Sequence, residues 1–394
     1  MSDLKLFLDD LEEDSPRIIE NIQPIDTFIE GYYVEAESLR VFIHEEIVSS
    51  HTEPNLTTNS PKIPTWLYKY ARIFNQGIAE EIIFLDTETT GLDRGASTYA
   101  FLTGVCFFQN GNWHLRQYFI ESPEHETLLM KLIAELLSGF KILVSYNGKC
   151  YDIPLLDNRF KYHKSEYSIR DLDFLDLLHL SRRFWKAALP GCKLQNIETL
   201  VLDFTRDYSN DLPGELIPKA YFDFLTTGDS EEISHVFYHN AQDLYSLIKI
   251  LELCWNLDFT NINYLAEFKI DGYSLAKMLV DIGEEATSFH LLESLISHGN
   301  ITEQSLLLLA QLLKKRKDYK QAIDYLILLE AKSPTVCIEL AMLYEHRFKD
   351  LNNAFYYARK AYMMLHEESE FNTTLIAEVE KRITRLKGKL HKPN

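Results

Sequence analysis

The chain contains no apolar stretch approaching the ~18 residues that a membrane helix requires. Its start, Met1-Ser2-Asp3-Leu4-Lys5, lacks the basic region, apolar core and small-residue cleavage site of a secretory signal. Both absences lead to the expectation of a cytoplasmic protein with no membrane partner. Its five cysteines, Cys106, Cys150, Cys192, Cys254 and Cys337, are odd in number and show no C-x-x-C spacing. A zinc ribbon or a disulfide framework is therefore not expected. Positive charge is also scarce: 40 Lys and Arg face 59 Asp and Glu, for a net charge of −19. That deficit excludes an adhesive, sequence-independent phosphate binder. It is unevenly spread, however, because residues 1–60 hold fourteen acids against three bases. The rest is only mildly acidic, which leaves room for an enzyme that holds a strand end through metals, since catalytic carboxylates count as negative until metal binds.

What is present is a globular composition, 46% hydrophobic over 394 residues, long enough for two or more domains. Residues 1–74 read as an acidic N-terminal extension with short strands at Tyr32–Glu35 and Leu39–Ile43. Asp9 to Pro16 within it reads as disordered or loosely helical. Residues 75–258 alternate strand and helix signals: a strand from Ile82, then Tyr99–Phe108 and Trp113–Ile120 joined by Gln109-Asn110-Gly111-Asn112, a hairpin signal. Leu128, Leu129, Leu132, Ile133, Leu136 and Leu137 follow helical spacing, Ile142-Leu143-Val144 is a further strand, and a helix starts near Asp152 or Pro154. Such an order defines an α/β domain. Residues 259–394 read as all helical. There Leu275-Ala276, Leu309-Ala310 and Leu340-Ala341 recur at spacings of 34 and 31, resembling tetratricopeptide helical hairpins, whose surface would bind a protein partner.

Asp86-Thr87-Glu88-Thr89 follows the apolar run Ile82-Ile83-Phe84-Leu85. Side chains on a strand alternate faces, so Asp86 and Glu88 point the same way and converge on one spot. Two carboxylates that close repel each other unless a cation sits between them, and all-oxygen ligation suits Mg2+ or Mn2+. The pair alone is equally compatible with two solvated acids. Asp152, just past the Ile142–Val144 strand, sits where a helix start stabilises a carboxylate. His239 and Asp243 lie four apart and share one face of a helix whose buried side carries Val236, Leu244, Leu247 and Ile248. Asp176 and His179 read as structural, and Arg182, Arg183, Lys186, Lys193 and Arg206 as a solvated basic surface.

In order, the four acids resemble the DEDD 3′-to-5′ exonuclease superfamily. Leu85 to Gly91 matches its first motif, Asn147 to Asp152 its second, and Asp243 supplies the last acid. Asp176 to Trp185, Lys193 to Glu198, Asp211 to Gly214, Ile217-Pro218 and Tyr221 look like the bacterial YprB-type branch, which also carries helical repeats after the nuclease-like domain. The resemblance implies a ribonuclease-H-like mixed five-stranded sheet flanked by helices, followed by an all-α tetratricopeptide-like domain. It also implies two-metal hydrolysis of single-stranded DNA or RNA from an end. Asp86 would bridge two Mg2+ or Mn2+ ions, Glu88 and Asp243 completing one and Asp152 the other. The third motif departs from the standard pattern, with His239 where the superfamily places a Tyr and Tyr238 where it places a His. His239 is taken as the group that positions or deprotonates the water, because imidazole titrates near neutrality. Thr89, Leu92, Asn147 and Tyr151 are expected around the substrate, with Tyr151 stacking on a base. The competing reading is a catalytically weak nucleic-acid-binding or scaffold protein on the same fold.

Overall fold

The computed structural model describes residues 25–48, 63–73, 79–91, 98–367 and 373–391. Leu92 and the acidic stretch Asp9 to Pro16 lie outside them. Two compact units are formed: one comprises the chain up to Arg182 with Leu189–Leu257, the other Arg183–Ala188 with the chain from Asp258.

The first unit is built on one sheet. Its strands are β1 (Tyr32–Ala36), β2 (Leu39–Val48), β3 (Ile82–Thr89), β4 (Ala100–Gln109), β5 (Asn112–Phe119), β6 (Ile142–Ser145) and β7 (Asp173–Asp176), in the order β1-β2-β5-β4-β3-β6-β7. The strands β3-β4-β5 form an antiparallel meander, and β6 and β7 add parallel to β3. That makes a mixed ribonuclease-H-like sheet with seven strands where five are expected. The correction comes from the N-terminal hairpin. Phe42 to Val48 of β2 pairs antiparallel with Trp113 to Phe119 of β5, so the hairpin covers a row of backbone donors and acceptors that would otherwise be an open edge.

The meander follows from local chemistry. Asn110 and Gly111 both adopt positive φ, 52° and 84°, as a two-residue turn between twisted strands requires. Ile82 to Leu85 are all buried and almost continuously apolar, the signature of a strand covered on both faces. Covering helices are supplied in chain order: α1 (Thr65–Ala71), α2 (Glu126–Leu137), α3 (Asp152–Tyr162), α4 (Leu177–Trp185), α5 (Leu194–Leu200), α6 (Ile217–Thr227) and α7 (Glu231–Trp255). Tyr221 of α6 stacks on Phe101 with ring centroids 4.0 Å apart and donates its hydroxyl to the Ile120 carbonyl at 3.1 Å. Between α2 and α3, buried Glu126 takes the Arg159 guanidinium through both oxygens and also meets His163 at 2.9 Å. A bidentate pair of this kind fixes helix orientation more than it adds stability.

The second unit is helical: α8 (Ile262–Glu267), α9 (Gly272–Asp281), α10 (Glu285–Ser297), α11 (Glu303–Lys315), α12 (Tyr319–Leu326), α13 (Pro334–Leu343), α14 (Leu351–Glu367) and α15 (Thr373–Leu390). Helices α9 with α10, α11 with α12 and α13 with α14 pack as successive hairpins. Asp271, Thr302 and Ser333 cap α9, α11 and α13 by accepting the N–H three residues on, so the caps recur every 31 residues. Among the described residues, no helix is long and apolar enough to cross a membrane.

Glu345, just past α13, is 2% exposed and is surrounded by cations from α15: Arg382 at 3.0 Å, Arg385 at 2.7 Å and Lys389 at 2.9 Å. Burial opposes its charge, but the Arg385 and Lys389 contacts win and hold its carboxyl down at about 2. A depressed carboxylate contributes stability above its unfolded pKa and loses it as pH falls toward the folded value. Glu345→Gln is therefore expected to cost about 1–3 kcal/mol at pH 7, because the α15 cations lose their shared partner. Urea unfolding of the helical unit at pH 7 checks this. An unchanged midpoint would mean that α15 is held by its apolar residues alone.

Candidate active site

The tip of β3 places Asp86 and Glu88 in a cleft of about 240 Å³. Four of the other expected residues, Thr89, Asn147, Tyr151 and Asp152, line the same cleft, with Gly214 and Pro218 across from them. Leu92 lies outside the described residues. His239 and Asp243 stand beside the cleft on α7, which packs against β3 and β4. The four acids are mutually close. Burial is the largest influence on both Asp86 and Glu88, and the next is the charge of Asp243, followed by Glu88 and Asp152 for Asp86 and by Asp152 for Glu88, which the Arg206 charge partly opposes. Together these push both carboxyls well above their ordinary range. Burial likewise lifts Asp152 to about 6, against the Thr87 hydroxyl that donates to its Oδ1 at 2.5 Å.

Asp86 and Asp152 are positioned by partners that no motif marks. Asn240 Nδ2 donates to Asp86 Oδ2 at 2.8 Å, and Gln117 Nε2 on β5 donates to both Asn240 Oδ1 and the Phe237 carbonyl, each at 2.9 Å. This chain of amides runs under the sheet into α7. It has room only because residue 104, opposite Asp86 in the β3–β4 ladder, is glycine: a Cβ there would overlap the Asn240 side-chain oxygen. The sequence does carry a signal for it, a lone glycine inside the otherwise large and apolar β4. Asp152 is set by the turn before α3. Asn147 takes φ 64°, and Asp176 at the end of β7 accepts its N–H at 2.9 Å and that of Lys149 at 3.3 Å. Asp176 thus clamps the loop, in keeping with the structural role read from the sequence.

His239, 8% exposed, has Nδ1 2.7 Å from Asp211 Oδ1 and Nε2 3.9 Å from Asp243 Oδ2. At that separation the Nδ1–H donates to Asp211, which fixes the tautomer and leaves Nε2 free toward the acids. Tyr238 instead accepts the Asp207 N–H through its hydroxyl at 3.1 Å. Arg206 corrects the sequence reading outright. Expected on a solvated surface, it is 5% exposed and ion-paired to Glu198 and Asp243. No spacing rule links residue 206 to 243, so this partner was not legible before the fold.

The donor chemistry fits a hard divalent cation: only oxygens, on acids whose mutual repulsion a cation would relieve. Among the described residues, no three Asp, Glu, His or Cys side chains stand close enough together to form a finished metal cage. The fit therefore rests on the type and charge of the donors.

A mixed sheet in this strand order, with carboxylates at the tip of its central strand and a long helix bringing the last acid, defines a ribonuclease-H-like domain. Residues 83–255 match the RNase_H superfamily model. The chain is 29% identical over 317 residues to the uncharacterized protein YprB of Bacillus subtilis (strain 168), covering 78% of this chain and 75% of that protein. Among solved structures, E. coli exonuclease I in complex with a dT13 oligonucleotide aligns with a TM-score of 0.29 at 14% identity, over 50% of this chain and 45% of that one.

Proposed function

We propose that this protein is a metal-dependent 3′-to-5′ exonuclease that hydrolyses phosphodiester bonds at an end of single-stranded DNA or RNA. One observation carries the reading: Asp86, Glu88 and Asp152 line one cleft with Asp243 beside it, and burial together with neighbouring acids penalises the charges of Asp86 and Glu88. A domain that only binds nucleic acid has no use for concentrated repelling charge. Asp86, Glu88 and Asp152 would hold Mg2+ or Mn2+. When bound, the metal would lower the pKa of an attacking water and stabilise the leaving 3′-oxygen.

The protein's own groups do the rest. His239, held by Asp211, presents Nε2 as the base that orients or deprotonates the water. Tyr151, 48% exposed at the cleft, offers a ring for base stacking, while Thr89 and Asn147 shape the pocket beside it. The helical unit supplies a tetratricopeptide-like surface for a protein partner.

The test incubates end-labelled single-stranded DNA and RNA with the full chain and Mn2+, beside Asp86→Ala and Asp243→Ala. Shortening from the 3′ end that vanishes in both variants is expected. Binding without cleavage under Mg2+ and Mn2+ would favour the scaffold reading, for which the Arg206 ion pair on Asp243 is the supporting observation.

A further inference from the structure

Asp243 already has a cation. Arg206 Nη2 donates to Asp243 Oδ1, and the same guanidinium is clamped from the other side by Glu198, Nε to Oε2 at 2.9 Å and Nη2 to Oε1 at 2.5 Å. Glu198 is 2% exposed and also accepts the Ser246 hydroxyl at 2.7 Å, from the helix that carries Asp243. A planar fork held this way is fixed in place, and moving it away would leave Glu198 buried and unpaired.

We propose that Arg206 is a built-in cation for Asp243, so that the cleft takes one hard divalent ion, on Asp86, Glu88 and Asp152, where the family resemblance implies two. The inference rests on the nuclease reading above. The charge pattern supports it. Glu198 and Asp243 share Arg206, and Asp211 is engaged by His239 and lies 3.7 Å from Arg206. Among the described residues, Asp86, Glu88 and Asp152 are the cleft acids outside any ion pair, Glu88 feeling the Arg206 charge without pairing to it. Asp86 takes an amide from Asn240 and Asp152 a hydroxyl from Thr87. A second dication against Asp243 would be pressed against a guanidinium that cannot lose its proton.

The number of bound ions tests this independently of activity. Metal-free full-length protein is titrated with Mn2+, and the free-ion signal is followed by electron paramagnetic resonance. The wild-type chain is expected to take up one Mn2+, with binding about tenfold or more weaker in Glu88→Gln. Arg206→Lys keeps the charge and is expected to stay at one. Arg206→Met combined with Glu198→Gln, which frees Asp243 without stranding the Glu198 charge, is expected to take up two. Two ions on the wild-type chain, both weakened by Glu88→Gln, would overturn the Arg206 assignment and leave the nuclease reading standing. No Mn2+ uptake would overturn both. A double variant that is folded by circular dichroism and still binds one ion would also overturn the assignment.

Discussion

In EDTA, Asp86→Asn is expected to melt above the wild-type protein although it has lost nuclease activity by on the order of a thousandfold. The gain arises because Asp86 is crowded by burial and by Asp243, Glu88 and Asp152, so its ionised form is penalised in the folded state. Removing one such charge is worth about 1–2 kcal/mol, roughly 3–6 °C for a domain of this size. Asparagine can still meet the Asn240 amide by turning its own oxygen toward it, so the local geometry survives. The pH dependence has a definite sign. An acid with a raised folded pKa binds more protons folded than unfolded, so stability falls as pH rises through the interval between the two values. For Asp152 that interval runs from 3.8 to about 6, and Asp86 and Glu88 shift in the same direction. Metal-free wild-type protein should therefore lose stability between about pH 4 and about pH 6, and Asp86→Asn should show a flatter slope. Mn2+ should raise the melting temperature of the wild type and leave the variant nearly unmoved. Thermal melts across pH, with and without Mn2+, measure all of this. A variant that melts below wild type in EDTA, or gains equally from Mn2+, would show that the acids are not mutually strained.

How much of this was legible beforehand follows from the range of each interaction. Asp86 and Glu88 were readable because strand periodicity acts over two residues, and His239 with Asp243 because helical periodicity acts over four. The β3-β4-β5 meander was readable from an Asn-Gly turn between alternating strands. The joining of β2 to β5 was not, because it spans some seventy residues and an edge strand carries no mark of what will cover it. Arg206 failed for the same reason: its three carboxylate partners, Glu198, Asp211 and Asp243, come from separate segments. Composition led wrongly here, since an arginine in a polar stretch reads as solvated until the fold buries it. Asn240 lies between His239 and Asp243 in the sequence, yet its role depends on β5, which supplies Gln117.

Gly104→Ala is expected to be a strongly damaging single-methyl change in the first unit. Gly104 pairs with Asp86 across the β3–β4 ladder, and an added Cβ would overlap Asn240 Oδ1 and come within 2.8 Å of both Asn240 Cγ and Leu244 Cδ1. Neither neighbour is the free end of a flexible chain. Asn240 is fully buried and bonded to Asp86 and Gln117, and Leu244 is fully buried on the same helix. Relief would require α7 to move off the sheet, which costs about 3 kcal/mol and carries His239 and Asp243 out of register with β3. Activity should fall with stability. The two effects separate in a second variant: Gly104→Ala with Asn240→Ala removes the main overlap and should recover most of the stability. Gln117 keeps the Phe237 carbonyl for one N–H in that variant and loses the acceptor of the other, so the recovery should stop short of wild type. Asp86 would still lack the amide that orients it, so kcat should remain low while KM stays near that of the wild type. Urea midpoints and single-turnover rates for the three proteins decide the matter. If the double variant is as unstable as Gly104→Ala, overlap with Asn240 is not the cause, and if it is fully active, Asn240 does not position Asp86.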